Sequence, residues 1–517
     1  MEDKPVILWI DDEIDLLNSH ILFLEKQNYK VLTSTNATDA LELLKERLVD
    51  LILLDENMPG MRGLDALMEI KKIRPSVPVI MITKSEEESL MDEAIGKNIS
   101  GYLIKPVNPK QILVQIKKHI EGTRIVSEQT IKLYLQDFNR LNQHLVYVNS
   151  FEEWVGIYKE ITSWEINLEA VNDNVIKDNF EQLKKEANRS FSIFVKRNYQ
   201  SWMQDLSFAP IMSQNILEKK LFPYLSDSQH TVLILIDNLR YDHWKSILPL
   251  LSSFYRVKEE TLFSAILPTT TQYSRNAIFS GLMPSEIKKL YPEYWFDDDQ
   301  DEHKNMYEEE LLQKHLQRHG LSPNFYFRKI FNNSFAEKVN KEISQIAKSP
   351  LSVIIYNFID ILSHAQTKNQ MIKELANDEK SYRSLTLSWF KTSPIYDLLK
   401  MLADRKINVF ITTDHGSIKI TNPVKVKGYK ETSTNLRYKQ GKALTYDSRD
   451  VFEIDAPEKC FLPKTHVSSR YIFATNNDYF VYQNNFSEYV KLYKNSFQHG
   501  GISMEEMLIP FVSLIPK

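Results

Sequence analysis

Apolar segments that predict β-strands end in aspartate or histidine at three points in the second half of the sequence. They are Asp237 after TVLILI, Asp360 after SVIIYNFI, and Asp414 with His415 after VFITT. Carboxylates and neutral imidazoles bind divalent cations, and mixed sets suit Zn²⁺ better than Mg²⁺ because imidazole is a borderline-soft ligand. An Asp–His pair after a strand also arises by chance, so the prediction depends on these segments meeting in the fold.

Two further histidines complete two candidate ligand sets. His364 lies four residues after Asp360, so both side chains share one face if that segment turns helical after the strand. The segment QHGG supplies His499. One set is then Asp237, Asp414 and His415, and the other is Asp360, His364 and His499. Two metal ions about 3.5–4 Å apart can clamp both oxygens of an in-line displacement, so the sequence predicts phosphoryl-transfer chemistry.

A hydroxyl-rich segment, LPTTTQYSRNAIFSG, brings Thr269, Thr270 and Thr271 to the start of a predicted helix. The amino end of a helix attracts phosphate through unpaired N–H groups and partial positive charge. A hydroxyl there can act as a nucleophile when a bound cation lowers its pKa. Taken alone, a helix cap is the simpler interpretation of the threonines. Arg275 and Asn238 are candidate substrate contacts, and a surface arginine is the alternative for Arg275.

Carboxylates also gather at predicted strand ends near the amino terminus. Asp11 and Asp12 follow VILWI, and Asp55 follows DLILL. Three carboxylates at one sheet edge require a cation, and an oxygen-only site suits Mg²⁺. Asp55 can then attack a phosphoryl donor, with Lys105 as a positive charge and Thr83 as a hydroxyl for the added group. The simpler alternative is that Asp11 and Asp12 cap a helix.

The elements that must position these residues fall into three segments. Strand-like and helical stretches alternate over residues 1–120, which predicts a parallel sheet with helices on both faces. Residues 121–205 have helical periodicity and predict a three- or four-helix bundle, with breaks near 149–150 and 167–172. Residues 206–517 form a further α/β domain, so the predicted fold class is α/β multidomain.

Composition limits the function of this 517-residue chain. One cysteine excludes an internal disulfide framework, and no apolar run approaches the roughly 20 residues of a membrane span. Because the amino-terminal segment also differs from a signal peptide, we expect a cytoplasmic protein without membrane insertion. The formal net charge is −4, and the helical segment has no basic helix, so no specific DNA binding is expected.

Residues 1–120 resemble a response-regulator receiver domain, which has a flavodoxin-like fold, through the segments WIDDE, LLDENMPGMRGLD, VIMIT and YLIKP. The resemblance implies that Asp55 accepts a phosphoryl group from a sensor histidine kinase. It implies Mg²⁺ binding by Asp11, Asp12, Asp55 and the Asn57 carbonyl, a switch pair of Thr83 and Tyr102, and phosphate contact by Lys105. Such receivers commonly dimerise through a surface corresponding to about Glu87–Glu121, which predicts a phosphorylation-dependent homodimer.

Residues 206–517 resemble the PglZ branch of the alkaline-phosphatase superfamily, through LILIDNLRYD, LPTTTQYSRNAIFSG, NFIDILSH, ITTDHG and QHGGISMEEMLIP. The resemblance implies an alkaline-phosphatase-like α/β domain with two Zn²⁺ ions. It places around one ion Asp237, Thr271, Asp414 and His415, and around the other Asp360, His364 and His499. It favours Thr271 as the nucleophile, at the fourth residue of the PTxT-type run Pro268–Thr271, with Thr270 as the alternative.

A receiver, a helical-bundle connector and a PglZ domain together resemble the response regulators of type IX secretion. That resemblance implies a zinc-dependent phosphodiesterase, acting on nucleotide or oligonucleotide phosphodiesters, whose activity and dimerisation are controlled by phosphorylation of Asp55. It also suggests a sigma factor as a partner. Two alternatives stay open: a metal-stabilised scaffold that recruits a sigma factor or another regulatory partner with little turnover, and a phosphomonoesterase or mutase.

Overall fold

The computed structural model describes residues 4–84, 99–205, 207–225, 230–297, 305–428, 432–464 and 466–517. The chain forms two compact units. One comprises Met1–Leu133 with Ala170–Asn172, and the other comprises Tyr134–Glu169 with Asp173–Lys517. Among the described residues, every helix is too short or too polar to traverse a membrane.

The first unit is built on a parallel sheet. Its strands are β1 Val6–Ile10, β2 Lys30–Ser34, β3 Leu51–Asp55, β4 Val79–Thr83 and β5 Gly101–Ile104. Its helices include α1 Asn18–Lys26, α2 Ala37–Glu46, α3 Gly63–Ile73 and α4 Pro109–Ile116. The strand order is β2-β1-β3-β4-β5, and β3 and β4 are buried at every residue, as expected where helices cover both faces. The predicted flavodoxin-like fold is confirmed. Residues 87–98 of the predicted dimer surface lie outside the described residues.

Long helices follow, and they confirm the predicted helical connector. They are α5 Gly122–Tyr147, α6 Phe151–Asn167 and α7 Asn174–Gln204. Ser150 caps the start of α6 in a capping box that includes Glu153. At the start of α7, the Asp173 carboxylate accepts hydrogen bonds from two backbone N–H groups. Such caps satisfy donors that a helix leaves unpaired at its amino end. The breaks between these helices therefore fall where the sequence predicts them.

The second unit adds mixed α/β structure after the connector helices. Its strands are β6 Thr231–Ile236, β7 Tyr255–Ser264, β8 Phe325–Ile330, β9 Leu351–Tyr356, β10 Asn408–Thr412, β11 Ile418–Lys419, β12 Asn422–Val426, β13 Tyr438–Gly441, β14 Val451–Ile454, β15 Arg470–Ala474, β16 Asp478–Tyr482, β17 Phe497–Gln498 and β18 Leu508–Pro516. Its further helices are α8 Ile216–Lys220, α9 Tyr241–Leu251, α10 Asn276–Ser280, α11 Pro284–Leu290, α12 Glu308–Arg318, α13 Asn333–Lys341, α14 Ile343–Lys348, α15 Phe358–Lys368, α16 Gln370–Leu375, α17 Glu379–Thr392, α18 Pro394–Asp404, α19 Phe486–Tyr493 and α20 Met504–Met507.

The main sheet of this unit has the order β7-β18-β10-β6-β9-β8. Strands β10, β6, β9 and β8 are parallel, and β18 is antiparallel to β10 and β7. The remaining strands form small sheets, β11-β17, β12-β16 and β13-β15-β14. Strand β6 is buried at every residue. The predicted α/β fold is confirmed, and the carboxyl ends of the parallel strands lie along one edge, where such sheets place ligands.

Candidate metal centre

The predicted carboxylate site of the first unit lies at the carboxyl edge of its sheet. Asp11, Asp12 and Asp55 offer oxygen atoms within 4.8 Å of one another. Lys105 Nζ lies 2.9 Å from Asp11 Oδ2 and 3.0 Å from Asp55 Oδ1. Burial raises the pKa of Asp55, against the lowering effect of Lys105 and with a further increase from Asp11 and Asp12. The oxygen set fits Mg²⁺, because one lysine does not neutralise three carboxylates.

Three other predicted receiver residues lie on β4, on β5 and in the loop after β3. Thr83 is buried at the end of β4, and the Tyr102 hydroxyl shares a hydrogen bond with it. Asn57 is exposed in the loop after Asp55. Gly63, which sequence reasoning did not single out, allows the start of α3 to approach this loop. A Cβ atom there would stand 2.4 Å from the Asp55 carbonyl oxygen, so no side chain fits. The two glycines of PGMRG were the available signal.

The predicted ligands of the second unit meet in two overlapping groups. Asp237, Asp414 and His415 offer ligand atoms within 4.8 Å of one another. Asp360, His415 and His499 form a second such group. His415 therefore belongs to both groups, although the sequence assigned it to one. Its ring stacks on the ring of His499, with centroids 4.1 Å apart and planes 15° from parallel, so the two groups adjoin.

Neighbouring parallel strands explain why Asp237 and Asp414 meet. Asp237 directly follows β6, and Asp414 lies two residues after β10, which pairs with β6. The prediction that a strand ends in Asp360 is wrong, because β9 ends at Tyr356 and Asp360 lies in the first turn of α15. The apolar run hides this boundary, since Ile359 continues it as a buried helical residue.

His364 lies one helical turn after Asp360, as its spacing predicts, and on the solvent side of the second group. Its Nε2 atom is 3.4 Å from Asp360 Oδ2, and its side chain is 56% exposed. The ring centroids of His364 and His499 are 5.5 Å apart. The structure thus brings all the predicted aspartates and histidines of the second unit to one place, with His364 at the edge.

Hydrogen bonds orient two of the imidazoles for metal binding. Nδ1 of His415 lies 3.1 Å from the Gly416 carbonyl oxygen, and Nδ1 of His499 lies 3.2 Å from the Thr269 carbonyl oxygen. A carbonyl accepts only from a protonated Nδ1, which leaves the Nε2 lone pair for a ligand. Burial, together with His415 and His364, lowers the pKa of His499, and a neutral imidazole is the form that binds a cation.

Several acceptor atoms face this centre without a donor. Asp237 Oδ1, Asp360 Oδ1 and His499 Nε2 are buried and have no hydrogen-bond partner among the described residues. His499 Nε2 and Asp360 Oδ1 are 3.5 Å apart, and His415 Nε2 is 3.7 Å from Asp237 Oδ1. A buried polar atom without a partner is unfavourable, and clustered acceptors repel one another. The donor set therefore fits divalent cations.

The hydroxyl of Thr271 reaches the centre. Thr271 Oγ1 is 3.1 Å from His415 Nε2. Thr269 Oγ1 is occupied by backbone groups, since it donates to the Gly501 carbonyl and accepts from the Gly500 N–H, each at 3.0 Å. Thr271 begins a π-helical turn that runs to Arg275 and leads into α10. Wide turns of this kind occur often at functional sites.

Arg275 is fully buried, so the alternative of a surface arginine is wrong. Its Nε lies 2.9 Å from Asp414 Oδ2, and its Nη2 forms an ion pair with Asp237 Oδ2. Nη1 lies 3.4 Å from Asn357 Oδ1 and 3.7 Å from Glu308 Oε1. The guanidinium therefore holds oxygens of two predicted ligands. Asn357 and Glu308 were missed. Asn357 is the first residue of NFIDILSH, three residues before Asp360, and that position was the available signal. For Glu308, no spacing provides a link to the ligand motifs.

Asn238, the other candidate substrate contact, is also fully buried. Its backbone has the left-handed φ of +62°, and its Nδ2 donates to Ser363 Oγ at 3.3 Å. Asparagine tolerates this conformation better than most residues. These contacts connect the turn after β6 to α15, which carries Asp360.

Replacing Arg275 by methionine is expected to destabilise the metal-free protein by about 3–5 kcal/mol, because Asp237 and Asp414 would lose their buried partner. A bound cation would replace the lost charge, so zinc should raise the stability of this variant more than that of the wild type. Urea unfolding in EDTA and in zinc measures both effects. The exposed Arg256 provides the control Arg256→Met, which should change stability little. An Arg275→Met protein that unfolds in EDTA at the wild-type midpoint would contradict the prediction.

Family models match most of the chain. Residues 216–514 match the BREX system PglZ alkaline phosphatase-like domain. The chain belongs to this PglZ family. Residues 7–117 match the response regulator receiver domain, and residues 124–203 match the PorX response regulator linker domain. The three matches give the domain order of a PorX-type response regulator with a PglZ output domain.

Curated relatives and solved structures cover shorter parts of the chain. The chain is 30% identical over 149 residues to the transcriptional regulatory protein ZraR of Escherichia coli O157:H7, covering 28% of this chain and 34% of that protein. It is 31% identical over 115 residues to the transcriptional regulatory protein ResD of Bacillus subtilis, covering 22% and 48%. The chain thus spans less than half of either relative. A solved receiver domain from Clostridium thermocellum is 32% identical, with a TM-score of 0.22, covering 23% of this chain and 98% of that one.

Proposed function

We propose that phosphorylation of Asp55 controls a zinc-dependent phosphodiesterase in this response regulator, and that its substrates are nucleotide or oligonucleotide phosphodiesters. The observation that carries this proposal is the set of buried, partnerless acceptors on Asp237, Asp360 and His499 beside the Thr271 hydroxyl, within a PglZ domain. The domain order supports a role in type IX secretion. A sigma factor is the regulatory partner we propose with it.

Two zinc ions account for the proposed ligand sets. Asp237, Thr271, Asp414 and His415 would hold one ion, and Asp360, His364 and His499 the other. Bound zinc supplies Lewis-acid stabilisation of phosphate oxygens and lowers the pKa of a nearby hydroxyl. Thr271 Oγ1 forms the new bond to phosphorus as the ester bond to the leaving alcohol breaks, and the alcohol departs with the threonine proton. Water then attacks the phosphorus and regenerates the Thr271 hydroxyl.

The fully buried arginines around the centre are committed to carboxylates. A phosphomonoester dianion carries one more negative charge than a diester, and a guanidinium group is well suited to pair with it. Among the described residues, the fully buried arginines near the ligand loops already pair with carboxylates. These pairs are Arg240 with Asp242, Arg275 with Asp237 and Asp414, and Arg437 with Glu506. No arginine of this group is left for the extra charge of a monoester.

The receiver provides the proposed control. A sensor histidine kinase would supply the phosphoryl group, with Mg²⁺ held by Asp11, Asp12, Asp55 and the Asn57 carbonyl. Phosphorylation adds about −1.5 to −2 charges, by analogy with other phosphorylated residues. The new charge would attract Lys105 and the Thr83 hydroxyl, and Thr83 shares a hydrogen bond with Tyr102. We propose that this rearrangement favours a homodimer in the cytoplasm and changes access to the zinc centre.

The experiment that tests the proposal measures metal content together with diesterase and monoesterase rates, before and after phosphorylation by acetyl phosphate. We expect about two zinc ions per chain, faster hydrolysis of a chromogenic diester than of the matching monoester, and a change in rate on phosphorylation. Bound zinc without turnover would support the scaffold that recruits a regulatory partner. A faster monoester rate would instead support a phosphomonoesterase.

A further inference from the structure

The connector helix α7 carries a stripe of buried polar residues on one face. Lys184, Asn188, Ser192 and Tyr199 are all buried, and their spacing of four, four and seven residues keeps them on the same side of a helix. A helix normally buries an apolar stripe. Such a polar stripe requires partners, and those of Asn188 and Tyr199 lie in segments next to the metal centre.

Tyr199 anchors the threonine loop. Its hydroxyl oxygen accepts a hydrogen bond of 2.8 Å from the Leu267 N–H, and Leu267 precedes the run that ends in Thr271. The same loop orients the second ligand group, because the Thr269 carbonyl accepts from Nδ1 of His499. A single hydroxyl on α7 therefore fixes the segment that presents Thr271 and that aims the His499 ring.

Asn188 anchors the segment on the other side of His499. Its Oδ1 accepts from the Met504 N–H at 2.8 Å, and its Nδ2 donates to Glu505 Oε2 at 3.0 Å. The segment lies directly against the loop of Asp414 and His415, since a Cβ atom on Gly416 would stand 2.0 Å from the Glu505 carbonyl oxygen. Asn188 thereby fixes a segment that contacts the ligand loops from behind.

Lys184 completes the stripe with buried ion pairs. Its Nζ lies 3.0 Å from Glu165 Oε2 on α6, 3.6 Å from Glu379 Oε1 on α17 and 3.3 Å from Glu505 Oε1 on α20. Removing one partner from such a buried set leaves uncompensated charge, so the arrangement strongly favours one position of α7. The ion pairs therefore fix the position of α7 relative to the segments that it contacts.

We propose that Asn188 and Tyr199 are positioning residues for the metal centre, so that the connector helix α7 sets the orientation of His499 and Thr271. The activity part of this inference rests on the proposed function. The metal-binding part rests on the hydrogen bonds above. Through these two loops, the position of α7 bears on both ligand groups.

The full-length variants Tyr199→Phe and Asn188→Leu test this inference. Tyr199→Phe keeps the ring and removes the acceptor of the Leu267 N–H. We expect either variant to bind zinc about 10–100-fold more weakly, the range found when outer partners of metal ligands are removed. We also expect a lower kcat for a chromogenic diester with little change in KM. Zinc affinity is measured by competition with a chromophoric chelator, and the fraction folded by thermal unfolding.

Tyr134→Phe is the matched control. Tyr134 is a buried tyrosine on α5, and its hydroxyl has no hydrogen-bond partner among the described residues, so zinc affinity and kcat should stay at the wild-type values. Wild-type zinc affinity in a folded Tyr199→Phe protein would overturn the inference, even if its melting temperature fell. Absence of turnover in the wild type would reject the proposed function, and zinc affinity would still decide the positioning role. If Asn188→Leu fails to fold, the conservative Tyr199→Phe variant decides alone.

Discussion

Replacing Thr271 by valine is expected to lower phosphodiester turnover about 10⁶-fold, since removal of the nucleophile from a hydrolase has an effect of this order. Valine has the shape of threonine without the hydroxyl. The Thr271 hydroxyl lies 3.1 Å from His415 Nε2, whereas the carboxylates and imidazoles of the centre come from other segments. Zinc should therefore remain bound. Initial rates on a chromogenic diester, with zinc content from elemental analysis, measure both properties.

The neighbouring threonine supplies the control for this experiment. The Thr270 hydroxyl is buried and has no hydrogen-bond partner among the described residues, so Thr270→Val removes an equivalent group and should retain most of the turnover. A Thr271→Val protein that kept the full rate with metal bound would reject the assignment. If Thr270→Val lost the rate instead, Thr270 would be the nucleophile.

Replacing Asp55 by asparagine is expected to abolish phosphoryl uptake from acetyl phosphate in the presence of Mg²⁺. Asp55 supplies the carboxylate that would attack phosphorus, and asparagine cannot form the acyl phosphate. The dimer and the rate change that we attribute to phosphorylation should disappear with it. Phosphoryl incorporation, sedimentation and diesterase rate are measured on the same samples.

Asp65→Asn is the matched control for the receiver. Asp65 is an exposed residue in the first turn of α3, so its variant should take up a phosphoryl group as the wild type does. Phosphoryl incorporation into Asp55→Asn would show that another residue is the acceptor. One sedimenting mass for the wild type with and without acetyl phosphate would reject control through dimerisation.

The local pattern of apolar and polar residues accounts for much of the fold. The buried strands β3, β4 and β6 are short apolar runs, and alternation with helices predicts parallel sheets, whose carboxyl ends share an edge. This is why Asp11 and Asp55 could be expected together, and likewise Asp237 and Asp414. The connector breaks were predictable too, because Ser150 and Asp173 are residue types that cap helices.

Contacts between distant segments were not predictable in the same way. Arg275 has the spacing of an ordinary helical residue, and its pairing with Asp414 joins residues 139 positions apart. The boundary between β9 and α15 was missed because an apolar run does not show where a strand ends and a buried helix begins. Glu308 belongs to none of the motifs found in the sequence. Its role becomes visible only in the fold, which buries it beside Arg275.

The sequence by itself determined the fold class and the residue types that could bind metal or accept a phosphoryl group. Only the tertiary structure decided that His415 adjoins both ligand groups, that the Thr271 hydroxyl lies beside His415, and that Arg275 pairs with two carboxylates of the centre. It also showed that the polar residues of α7 contact the ligand loops. The physical reason is that the periodicity of apolar residues indicates which face of a helix or strand is buried. Which residues pack against that face depends on contacts between segments far apart in the chain.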